Sequence, residues 1–83
     1  MRRIVEQTTR EIIVERTARE IVDETNELAR TLCRHMGYVA PDDLRFELAT
    51  GGRESLAWRM ACAAQELLTA TDPNEAVKEL ENP

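Results

Sequence analysis

From Ala18 to Met36 the apolar side chains return at spacings of three and four. Ala18, Ile21, Val22, Leu28, Ala29, Leu32 and Met36 fall on one line, with Thr25 among them. This is the period of a single helix face, and it predicts an amphipathic helix ending at Met36. Arg34 and His35 lie in its last turn, where cations favour the helix dipole. Gly37 stands where a left-handed cap closes a helix. The rest of the chain must build its core against this stripe.

The start of the helix is less sharply marked. Thr17-Ala18-Arg19-Glu20 has the form of a capping box, and so does Thr8-Thr9-Arg10-Glu11. Residues 2–17 are dense in β-branched side chains, including Ile4, Val5, Ile12, Ile13 and Val14, a composition that suits a strand. Arg10-Glu11-Ile12 is echoed by Arg19-Glu20-Ile21. Nine residues turn a helix by about 900°, so the two copies face opposite sides and Ile12 and Ile13 leave the main stripe. A strand with no second strand in the chain would have to pair with another molecule. A continuous helix with a second apolar stripe is the favoured expectation. Either way, residues 1–16 would act as an N-terminal oligomerisation extension.

Tyr38-Val39-Ala40 reads as an extended link before Pro41, because a residue preceding proline avoids helix. Pro41-Asp42-Asp43 resembles a first helical turn, with Leu44, Phe46, Leu48 and Ala49 forming a short helix that Thr50-Gly51-Gly52 ends. Residues 53–70 form a second long helix, its stripe taken as Leu56, Met60, Ala63, Ala64 and Leu67, with Ala57, Ala61 and Leu68 beside it. Asp72-Pro73-Asn74-Glu75 restarts the chain as cap and first turn of a last short helix carrying Ala76, Val77 and Leu80, and residues 81–83 should fray. The expected fold is all-α: one domain over residues 1–83, a small bundle of two long and two short helices.

Eighty-three residues make a marginal core. A first helix of about 35 residues would span about 50 Å and outrun its partners in the same chain. A homodimer or higher symmetric oligomer is therefore expected to complete the bundle. With 42% hydrophobic and 33% charged residues, the chain is too apolar for disorder. No apolar run reaches the roughly 18 residues of a membrane span. An acid-bearing stretch follows Met1-Arg2-Arg3 in place of an apolar signal region, and the two cysteines are too few for a disulfide scaffold. A cytoplasmic protein is expected. The net charge is −5. All of it resides beyond residue 36, where Arg45, Arg53, Arg59 and Lys78 face an excess of Asp and Glu. That balance argues against nucleic acid or an anionic membrane as partner.

Sets of residues that carry chemistry are sparse. Cys33 and His35 are two apart, about 200° around a helix, and with Cys62 they form no paired zinc spacing, so no metal site and no cofactor are expected. Glu24-x-x-Glu27 resembles the first half of the ExxE pattern of the MazG-type, all-helical nucleotide pyrophosphohydrolases, whose carboxylates bind magnesium. The second half is missing, since Glu54 is followed by Ala57 and Glu66 by Thr69. The resemblance implies a magnesium-dependent pyrophosphohydrolase with an incomplete motif, as a minor alternative. The first alternative is an oligomer that binds or sequesters a small anion or nucleotide at subunit interfaces, where Gly51 and Gly52 open a helix beside Arg53 and Arg59.

The main expectation is a non-enzymatic, acidic helical interaction module that oligomerises and binds, or inhibits, another protein. Trp58 and Arg59 are its expected anchors, being the residue types that dominate interface hot spots, and Ile12 and Ile13 are the second contact. In size and composition the chain is similar in style to short acidic helical proteins of phages and mobile elements, some of which block host proteins.

Overall fold

The computed structural model describes residues 17–82, and these are all-helical, with no strand among them. Helix α1 is Ala18–His35, α2 is Gly52–Thr69 and α3 is Pro73–Glu81. A single 3-10 turn, Phe46–Leu48, lies between α1 and α2. The hydroxyl of Thr25 accepts a hydrogen bond from Gln65, and Tyr38, just beyond α1, reaches Glu54 near the start of α2. The two long helices are therefore antiparallel.

Helix α1 starts where one of its two capping boxes placed it. The Thr17 hydroxyl accepts the Glu20 N–H at 3.1 Å, and the Glu20 carboxylate accepts the Thr17 N–H in return. Thr17 is extended, with φ −75° and ψ 158°. The expected continuous helix from the N-terminal stretch is thus broken at Thr17. Helix α1 has 18 residues, and the overhang that would have outrun its partners does not exist in it. The strand-or-helix question for residues 2–16, and with it Ile12 and Ile13, lies outside the described residues. At the other end Gly37 adopts φ 83°. Its N–H goes to Arg34 O and the Tyr38 N–H to Cys33 O, the paired bonds of a Schellman cap.

The short helix expected from Pro41 does not form. Pro41–Leu44 closes a turn, and only Phe46–Leu48 is helical, as a 3-10 turn. The reason lies on α1. A helix through this segment would use the carbonyls of Pro41, Asp42 and Leu44 as acceptors and the Phe46 N–H as a donor. The Arg30 guanidinium donates to all three carbonyls, at 3.0, 3.3 and 3.2 Å. The Asn26 Oδ1 takes the Phe46 N–H at 2.7 Å. Asn26 also donates to Val22 O and to a Glu47 carboxylate oxygen, both at 2.9 Å. Two side chains of α1 thereby claim the backbone of the segment and hold Phe46, which is fully buried, in the core.

Around Phe46 the core collects Val22, Ala29 and Cys33 of α1, Ala57, Trp58, Ala61 and Cys62 of α2, Ala40, and Ala76 of α3. Helix α3 begins as expected, with Asp72 accepting the Asn74 N–H and Pro73 in the first turn. It runs through Glu81, and the Asn82 N–H closes it on Lys78 O. Every buried side-chain nitrogen and oxygen among the described residues has a hydrogen-bond partner.

Asn26→Ala removes one group that satisfies the Phe46 N–H, Glu47 and Val22 together. It is expected to cost about 2–3 kcal/mol in urea unfolding, and loss of Phe46 protection in hydrogen exchange should accompany it. A cost under about 0.5 kcal/mol would show that the segment holds itself.

Candidate functional site

The residues of α2 fall on two apolar arcs. Its inner arc, Ala57, Trp58, Ala61, Cys62 and Gln65, is buried. Leu56, Met60, Ala63 and Leu67 lie about 160° away around the helix, on the side facing solvent. Leu67 is 87% exposed, and Leu56 and Met60 are about two-fifths exposed. The stripe expected to line the core is therefore the outer face; of the residues expected to flank it, Ala57 and Ala61 line the core and Leu68 is exposed. The cause is volume. Ala57, Ala61 and Cys62 let α2 approach Ala29 and Cys33 of α1 closely, whereas a Leu–Met–Leu ridge would hold the helices apart.

Arg59 and Glu66 border the outer arc on one flank, and both are exposed. Neither takes part in an ion pair with another described residue. They are seven residues apart, about 10.5 Å along the axis, too far to pair within one helix. Ala64 borders the other flank, and beyond it Leu68, 77% exposed, opens onto a groove with Leu28, Glu24, Glu27 and Thr31 of α1.

The expected anchors divide. Arg59 stands on the surface, but Trp58 is only 8% exposed, and its indole N–H donates to Asn74 at 3.1 Å. Trp58 joins α2 to α3 and is not an exposed anchor. It lies about 160° from Met60 around the helix, on the inner arc. The residues of the alternative anion site are also divided, with Arg59 apart from Gly51, Gly52 and Arg53. The Arg53 guanidinium stacks over the Tyr38 ring at 4.1 Å, and Arg53 and Arg59, six residues apart, sit about 120° apart around α2. Gly51 is extended and Gly52 takes φ 73° where the helix opens.

Glu24 and Glu27 border the α1–α2 groove with apolar and hydroxyl neighbours. Among the described residues no group of three or more His, Cys, Asp or Glu is arranged to hold a metal ion. No helix among them is long and apolar enough to cross a membrane. The structure also brings forward residues that periodicity passes over: Asn26, Arg30, and the Thr25–Gln65 pair that ties α1 to α2 at 3.2 Å. Thr25 stands on the predicted α1 stripe, where a polar side chain must find a partner, but Asn26 only borders that stripe and Arg30 and Gln65 lie off the predicted stripes, so periodicity gives no signal for them. Glu47 belongs to the same network. Partial burial pushes its carboxyl up, but hydrogen bonds from Asn26, its own N–H and Arg45 outweigh this and hold it below the usual range.

No family model matches this chain, and neither does any curated protein or solved structure.

Both thiols are free and buried. Burial pushes Cys62 up to about 11, with the carboxylates of Asp72 and Glu66 adding to it. Burial, then Glu54, raises Cys33 as well. A raised folded value means that the unfolded thiol, near about 8.5, ionises first. The stabilisation is whole below that value and declines as pH rises towards the folded value. The melting temperature should fall between about pH 8.5 and pH 10.5, and Cys62→Ser should flatten the fall. An equally steep fall in Cys62→Ser would exclude the thiol as its source.

Proposed function

We propose that this chain is a non-enzymatic helical interaction module, and that its docking element is the outer face of α2. The observation that carries this reading is the ridge of Leu56, Met60, Ala63 and Leu67, exposed on a helix whose opposite face already builds the core. A fold that needed only stability would set polar side chains there. Leucines and methionine on the surface instead cost solubility and supply binding energy, about 1.5–3 kcal/mol for each large side chain fully buried on docking. The spacing of four, three and four residues is the heptad seam that a second amphipathic helix fits. The partner surface is therefore a helix with an apolar stripe. Arg59 and Glu66 at the border of the seam select among such helices by charge, and the acidic surplus beyond residue 36 disfavours acidic partners. Binding of this kind acts by occupying a partner's helix, which suits an inhibitor or an assembly factor.

A fluorescent amphipathic heptad peptide with a Leu/Ala stripe tests this reading by anisotropy. Wild type should bind it, and Leu67→Asp and Met60→Asp should weaken binding at least about tenfold, since each sets a charge in an apolar seam. Both substitutions lie on the exposed face, so the melting temperature should stay within a few degrees of wild type. Equal affinity in all three proteins, or no affinity in any, would overturn the proposal.

A further inference from the structure

We infer that the helix seated on the outer face of α2 is α2 of a second copy, packed antiparallel across a two-fold axis near residues 61 and 62. This rests on the docking role proposed for that face and adds the identity and direction of the occupant.

The seam is self-complementary only in the antiparallel direction. With Leu56 and Met60 taken as the first two seam positions, Ala63 and Leu67 complete the next pair. Antiparallel copies bring Leu56 of one chain against Leu67 of the other and Met60 against Ala63. Each layer repeats by symmetry. The long Met60 side chain meets the small Ala63, so the two ridges interdigitate without a gap. Charge then selects the direction. In an antiparallel pair, residues on the same flank of each helix face one another across the seam. Arg59 of one copy meets Glu66 of the other, twice. In a parallel pair Arg59 would face the flank that carries Ala64, and both charges would stay unpaired. Each is exposed and outside the ion pairs of the described residues, so neither must abandon such a partner to make these contacts. The same patch on both copies, with residue i meeting j and j meeting i, is the signature of an isologous dimer.

The seam covers about 17 Å of helix and is small among specific interfaces, so association should be followed over a wide range, roughly 10 µM to 1 mM. Sedimentation equilibrium of the full chain is the test. Wild type should dimerise. Arg59→Glu and Glu66→Arg should each weaken the dimer about tenfold, because two attractive pairs become two repulsive ones. The double variant R59E/E66R should regain wild-type association. Most tellingly, an equimolar mixture of R59E and E66R should dimerise more strongly than either alone, since the mixed pair restores both contacts. A wild type that stays monomeric at 1 mM overturns the inference, as does an assembly indifferent to both reversals, which places the contact elsewhere. The heptad-peptide titration keeps the two proposals separate: peptide binding by a chain that does not self-associate retains the docking face and removes the second copy as its occupant.

Discussion

The close approach of α1 and α2 is the constraint on which the other features depend. Ala29 and Cys33 on one helix, with Ala57, Ala61 and Cys62 on the other, are small enough to let the two backbones pack tightly. Small side chains bury little area, so this contact alone makes a thin core. The missing volume comes from the edges. Phe46 enters from the segment between the helices, Trp58 from the inner arc of α2 where it meets α3, and Pro73 and Ala76 from α3. The same choice sends the bulky apolar residues of α2 outward. Once the inner arc is committed to alanine, Leu56, Met60 and Leu67 have nowhere to go but the far side of the helix.

Polar side chains on α1 do the positioning that a regular helix would otherwise do. Arg30 and Asn26 bind the backbone of residues 41–46 more directly than that backbone could bind itself. The Arg30 guanidinium also stands 5.4 Å from the Phe46 ring centroid, so one residue both orders the segment and flanks its buried aromatic. Asp23, Arg45 and Glu47 extend the network towards the surface through pairs at 3.3 and 3.0 Å. Exposed ion pairs of this kind contribute little each. The half-buried Glu47, tied to Asn26 as well, is the member that connects the surface charges to the core.

How legible was this in the sequence? The elements whose signal is local were legible: the Thr17–Glu20 box, the α1 stripe, Gly37, and the Asp72-Pro73 restart all stand where their chemistry placed them. Pro41-Asp42-Asp43 carries equally good local signals for a helix, and they lose to hydrogen bonds offered from residues 26 and 30, which no local pattern contains. The orientation of α2 was hidden for a different reason. Leucine and methionine every third or fourth residue satisfy helical periodicity on one arc, while alanine, cysteine and tryptophan satisfy it on the other. Periodicity finds that the helix is amphipathic in two senses but not which arc faces inward. Packing decides that, because only the smaller arc fits against α1.

The candidate site follows from the same ambiguity: the residues read as core are the ones left on the surface, where the docking face is proposed, and Arg59 keeps its place at the border of that face while Trp58 moves inside. The orientation of α2 is thus the central claim, and methyl resonances measured with a soluble paramagnetic agent address it most directly. In a dilute sample, below the concentrations proposed for self-association, the methyls of Met60 and Leu67 should be strongly relaxed and those of Ala57 and Ala61 protected. The opposite pattern, with Ala57 and Ala61 relaxed and Met60 and Leu67 shielded, would contradict the structure described here and remove the docking face with it.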